Sequence, residues 1–202
     1  MDLTSTPYNG VVRNASTELP SPKTLCDMMK TWAVKYATYG WHIVQVWGVK
    51  RFAHTAEDAV CHCPKREKCP SPGKHPVELG WPEKATCDLE VIKKWNWTNK
   101  NIGIVTGRIS NAYVIDQDVK DPQKNGVENL LEWEADNVRL FPKFIVKTGG
   151  GGCHYYFPYP KDLNLGGAGG SPLGGVDIRA DKQFVVAPPS RHYSGGRYVW
   201  GV

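Results

Sequence analysis

An α+β fold is what this chain predicts, on three observations. Strand-length apolar runs and helical periods are mixed along it. They do not follow the regular βαβ alternation that a doubly wound parallel sheet requires. The 21 glycines and 15 prolines among 202 residues break the chain into short elements. That length suits one domain with a proper core, or one domain carrying a small insertion.

Residues 1–20 are polar without apolar period and read as a flexible N-terminal arm. The main domain is expected over 21–202. Ser21-Pro22 reads as a helix start, and Leu25, Met28, Met29, Trp32, Ala33 and Tyr36 follow at helical spacing until Gly40 ends it. His42 to Trp47 is a strand candidate. Asp88 to Trp95 and Gly126 to Asn137 carry helical periods. Further strands are expected at Ile102–Val105, from Ala112 into Asp116, at Phe144–Val146, Cys153–Phe157, Val176–Arg179, Phe184–Ala187 and Tyr198–Trp200. Gly166 to Gly175 reads as a glycine-rich loop.

Residues 51–81 differ in texture, being rich in Cys, His, Lys and Pro with no sustained apolar period. Cys61, Cys63, Cys69 and His75 form C-x-C-x5-C-x5-H. Three thiolates and an imidazole complete a closed tetrahedral shell for a structural Zn²⁺, and the metal would supply the folding energy that this segment lacks. His62 is an alternative fourth ligand, though cramped between two neighbouring ligands. A surface loop of reduced cysteines is the plainer alternative. Cys26, Cys87 and Cys153 are scattered and read as ordinary thiols.

The net charge of +5 leans mildly toward a polyanionic partner. No apolar run is long enough to span a membrane, and the N-terminus lacks the basic start and apolar core of an export signal. A cytoplasmic protein with no membrane partner is therefore expected, its cysteines holding metal or staying reduced.

Chemistry concentrates where Ala112-Tyr113-Val114-Ile115 runs into Asp116-Gln117-Asp118. Alternation puts Asp116 and Asp118 on one side of the strand and Ile115 on the other, so the pair could hold a hard divalent cation. The alternative is two turn-forming acids leading into Lys120-Asp121-Pro122. In Lys147-Thr148-Gly149-Gly150-Gly151-Gly152-Cys153-His154, glycines let a backbone approach anionic oxygens, and His154 follows at once. A flexible hairpin turn with a strand histidine is the plainer reading. Asp177 and Arg179 share a strand face, which suits either a metal–phosphate site or a surface ion pair. Taken jointly these pieces suggest a metal–triphosphate site, with two Mg²⁺ or Mn²⁺ ions activating a 3′ hydroxyl and orienting pyrophosphate.

Asp116-Gln117-Asp118, Gly152-Cys153-His154 and Val176-Asp177-Ile178-Arg179 resemble, in order, the three motifs of the archaeo-eukaryotic primase superfamily. The closest likeness is to primase–polymerase (Prim-Pol) catalytic domains of plasmids, phages and other mobile elements. Gly73-Lys74-His75-Pro76, Ile102 to Gly107 and Val186 to Ser190 extend the likeness, which runs from about residue 25 to the last residue. It implies an RRM-like catalytic half packed against a smaller α/β half, with residues 51–81 as a zinc-binding insertion. By motif match, Asp116, Asp118 and Asp177 would ligate two Mg²⁺ or Mn²⁺ ions. His154 would contact the nucleotide's phosphates, with Arg179 and Lys147 as further phosphate contacts. Cys153 departs from the small or polar residue usual at its position.

The function implied is a template-dependent DNA primase and polymerase that takes a single-stranded DNA template, a primer strand and dNTP or NTP. Relatives often precede a helicase, so a helicase in the same or a neighbouring chain is an expected partner. If a following module helps to start primers, extension without initiation is expected of residues 21–202. Two other readings stay open. One is a non-catalytic, zinc-containing single-stranded nucleic-acid-binding module. The other is a metal-dependent glycosyltransferase, disfavoured by the cysteine insertion and the third acid.

Overall fold

The computed structural model describes residues 21–119, 125–162, 164–166 and 172–201. The expected N-terminal arm, the Lys120-Asp121-Pro122 turn and the middle of the Gly166–Gly175 loop lie outside the described residues.

Helix α1 (Pro22–Thr38) begins at Ser21, whose Oγ accepts from the Thr24 amide at 3.2 Å. This closes one of the free donors at the helix start. Its apolar stripe buries Met29, Ala33, Tyr36 and Ala37. Strand β1 (Ile43–Trp47) pairs antiparallel with β4 (Lys100–Val105), which pairs with β9 (Phe184–Ala187) in a three-stranded sheet. Between β1 and β4 lie β2 (Val49–Arg51) and β3 (Val60–Cys61), a two-stranded ribbon, and the short helices α2 (Trp81–Lys84) and α3 (Leu89–Lys94). The ribbon and α2 are too short to leave a period in the sequence. Asp88 caps α3, as its position before the apolar run implies.

The second sheet holds β5 (Ala112–Gln117), β6 (Phe144–Lys147), β7 (Cys153–Pro158), β8 (Val176–Arg179) and β10 (Val199–Trp200). All its neighbours are antiparallel, in the order β10-β6-β7-β5-β8. Helix α4 (Gly126–Asp136) covers one face, where Leu130 meets Ile115, Val176 and Tyr155. On the other face Val114, Val146 and Tyr156 join the core made by α1 and the first sheet. Interior strand β5 is thus covered on both faces, so its acids sit beside a core. At the junction the Tyr36 hydroxyl donates to the Pro188 carbonyl at 2.7 Å and accepts from Trp200 Nε1 at 3.0 Å.

The α+β expectation holds, with the sheets mixed among few helices. Among the described residues no helix is long and apolar enough to cross a membrane.

Candidate active site

Directly opposed residues of an antiparallel ladder project from the same face. Asp116 of β5 is opposed by His154 of β7 on one side and Asp177 of β8 on the other. Beyond His154 the row continues to Val146 of β6. Arg179, two residues past Asp177, shares this face, which elsewhere packs into the main core. The row therefore runs from buried Val146 and His154 out to the part-exposed carboxylates of Asp116 and Asp177.

The contacts are close. His154 Nε2 is 3.4 Å from Asp116 Oδ1, and His154 is 5% exposed. Arg179 Nη2 lies 2.6 Å from Asp177 Oδ2 and 3.3 Å from Asp116 Oδ2, bridging two carboxylates that would otherwise repel. Burial lowers the pKa of His154. The Asp116 carboxylate opposes this, while Lys74 and Arg179 add to it. A neutral imidazole donating Nε2–H toward Asp116 leaves Nδ1, which is buried and has no hydrogen-bond partner.

Asp118 stands one step beyond the ladder. Its amide donates to the Gly175 carbonyl at 2.7 Å, and its own carbonyl accepts from the Gly126 amide at 3.1 Å. A Cβ on Gly126 would overlap the Gly175 oxygen, so glycine is what permits this approach. The Asp118 charge reaches the site, since it acts on both His154 and Tyr198. The oxygens of Asp116, Asp118 and Asp177 are not drawn within 4.8 Å of one another as the sulfur and nitrogen donors described below are.

The glycine run is a tightly packed turn. Gly151 N–H donates to the Thr148 carbonyl and Gly152 N–H to Thr148 Oγ1. A Cβ at Gly152 would overlap the Gln117 carbonyl oxygen, and one at Gly149 would overlap His192 Cβ. Two of the amides that the sequence offered to a phosphate are thus committed to the turn, and the glycines serve close backbone packing.

Lys147 is not brought to the site. It opposes Cys153 and Val199, one residue out of phase with Val146, so alternation sends it to the other sheet face, where it is exposed. Lys74, from the segment before His75, is the lysine whose charge reaches His154. Tyr198 and His192 carry no local signal of a site, because only the fold brings them here. The Tyr198 ring centroid is 5.8 Å from that of His154. Burial, reinforced by Asp116 and Asp118, pushes its hydroxyl well above the usual range and keeps it protonated.

A second constellation forms in the cysteine-rich segment. Cys61, Cys63 and Cys69 are buried, and with His75 they bring one donor atom each within 4.8 Å of one another. His75 Nε2 lies 3.5 Å from Cys61 Sγ and 3.2 Å from Cys69 Sγ. Tetrahedral zinc with ordinary bond lengths sets sulfur–nitrogen edges of about 3.6 Å, so this donor set fits. His62, the alternative, is not part of it; its amide donates to the Gly48 carbonyl. Burial, with Cys61 and Cys63 alongside, pushes the Cys69 thiol up to about 12. The Cys61 thiol is raised as well, while that of Cys63 is lowered, and a cation among the three sulfurs would favour their ionised forms. These sulfur and nitrogen donors are soft, whereas the β5–β8 acids offer hard oxygens suited to Mg²⁺ or Mn²⁺.

The family model described as "Bifunctional DNA primase/polymerase, N-terminal" matches residues 33–202. No curated protein matches the chain.

Proposed function

The chain belongs to the Prim-Pol family of bifunctional DNA primase/polymerases, and from that premise we propose template-directed nucleotidyl transfer at Asp116, Asp118, Asp177 and His154. The observation that carries the reading is the register that sets Asp116 between His154 and Asp177. The partners are a single-stranded DNA template, a primer strand and a dNTP or NTP.

Asp116, Asp118 and Asp177 are the residues that would hold two Mg²⁺ or Mn²⁺ ions. Bound there, the ions would lower the pKa of the primer's 3′ hydroxyl and offset charge developing on the phosphates. The 3′ oxygen forms a bond to the α-phosphorus, the bond from that phosphorus to the leaving pyrophosphate breaks, and the hydroxyl proton passes to solvent water. The chain's own side chains bind and orient. His154 Nε2–H, aimed along the acid row, is a donor for a phosphate oxygen. Arg179 neutralises the two acids in the structure described. Its forked guanidinium turns to the triphosphate when cations take over that task. Lys74 takes the phosphate-binding part expected of Lys147. Buried Tyr198, still protonated, supplies a further donor beside His154.

The Cys61–Cys63–Cys69–His75 set holds a structural Zn²⁺, leaving no open position for catalysis. Residues 21–202 form the catalytic domain, with 51–81 as its zinc-bearing insertion, working in the cytoplasm where template and nucleotides meet.

A labelled primer annealed to a longer template, incubated with Mg²⁺ or Mn²⁺ and dNTPs, tests the reading. Extension by the parent chain, lost in the Asp116→Ala, Asp118→Ala double variant, is expected. Full extension by that variant removes the assignment. Single-strand binding with zinc present but no incorporation by the parent favours the non-catalytic module.

A further inference from the structure

We propose that the cleft between α1, the zinc-type segment and residue 191 is the docking groove for the single-stranded DNA template. Lys100 and Arg191 seat its phosphates there, and Phe52 forms its apolar wall. This rests on the polymerase reading and adds the path of one substrate to it.

The cleft is a cavity of about 180 Å³ bordered by Phe52, His62, Trp97, Lys100, Asn101 and Arg191, and among the described residues no acid lines it. The Arg191 guanidinium lies 5.4 Å from the Phe52 ring centroid, and its Nε is buried without a hydrogen-bond partner. Lys100 Nζ lies 3.9 Å from the ring centroid of Trp47, which packs against the three cysteines. The metal-type centre thereby sets the position of a cation at the cleft. Lys50 and Arg66 stand near enough to act, with Lys100, on His62. Arg197 pairs with Arg191 across an isolated bridge. Among the described residues none of Lys50, Arg66, Lys100, Arg191 and Arg197 makes an ion pair with a carboxylate. Cations gathered without acids repel one another, and a polyanion relieves that cost while releasing its own counterions.

The wall is fixed by side-chain bonds. Asn101, 2% exposed, donates from Nδ2 to the carbonyls of Gly73 at 3.0 Å and Arg191 at 2.8 Å, and its Oδ1 accepts from the Arg191 amide at 3.1 Å. Both clamped segments lead to the acid row. Lys74, next to Gly73, acts on His154, and His192, next to Arg191, packs on Gly149 of the glycine turn. A strand lying in the cleft therefore runs on toward the site where a nucleotide would pair with it. That continuity, with the charge, selects single-stranded DNA as the occupant.

Fluorescence anisotropy of a labelled oligodeoxythymidine, titrated at several salt concentrations, is the test. Each phosphate contact on a single strand contributes roughly 0.7 to the slope of log affinity against log salt. The Lys100→Gln, Arg191→Gln pair is expected to flatten the slope by about 1.4 and to weaken binding about tenfold or more at moderate salt. Its dNTP binding should match the parent's. Should that pair lose its native circular dichroism, the exposed rim pair Lys50→Glu, Arg66→Glu decides, and lower affinity with a flatter slope is expected. Parental affinity and slope in a folded variant pair overturn the groove. Primer extension separates the two proposals. A chain that binds through the cleft yet adds no nucleotide overturns the polymerase reading alone, and one that extends primers while the variants bind normally overturns the groove alone.

Discussion

Asp177 lies directly across the β5–β8 ladder from Asp116, and a single nitrogen of Arg179 reaches both carboxylates, at 2.6 and 3.3 Å. Opposed like charges on a ladder destabilise unless a cation intervenes. Asp177→Asn should therefore leave the fold standing, because it removes a repulsion along with an ion pair. Nucleotide incorporation should fall at least about a hundredfold, since charge stabilisation by a bound ion is worth several kcal/mol. Thermal unfolding and primer extension on one preparation check both halves.

Lys74 and Lys147 separate two accounts of the phosphate contacts. Lys147→Ala, on the far sheet face, should leave the apparent KM for dNTP unchanged. Lys74→Ala should raise it several-fold with a smaller change in kcat. The opposite pattern in steady-state kinetics would restore the assignment made from the motif.

Gly152→Ala drives a methyl into the Gln117 carbonyl oxygen, which is backbone and cannot swing aside. Overpacking of this kind costs about 1–3 kcal/mol. A lowered Tm with reduced incorporation is expected, because the same contact positions the strand leading to Asp118.

The buried Tyr36 hydroxyl bonds the Pro188 carbonyl and Trp200 Nε1 at the junction of the two sheets. Tyr36→Phe strands both partners and should cost about 1–3 kcal/mol. Denaturant unfolding should show a lower midpoint with an unchanged m-value.

Metal analysis should find one zinc per chain, and Cys69→Ser should lose it. Chelation should lower Tm, because a segment with so little apolar core of its own draws its folding energy from the metal.

Much of this molecule was legible in order along the chain. Helix α1 and its Ser21 cap, the helix after Asp88, the strands of the two larger sheets and the cysteine spacing all follow from local signals, because caps, periods and ligand intervals are properties of neighbouring residues. The choice of His75 over His62 followed from the strain of adjacent ligands. The sheet face of Lys147 was not legible, because it depends on the register between β6 and β7. That register depends in turn on how four glycines turn, and their tight packing needs the segments at 117 and 192 to be known first.

The sequence alone picked out the candidates for chemistry: three acids, a histidine after a glycine turn, and a C-x-C-x5-C-x5-H set. The tertiary structure decided which of them face one another. It put Asp116 between His154 and Asp177, brought Lys74 and Tyr198 near His154 and turned Lys147 to the other sheet face. The reason is that sheet pairing joins strands remote in sequence, and a one-residue change of phase turns a side chain to the opposite face.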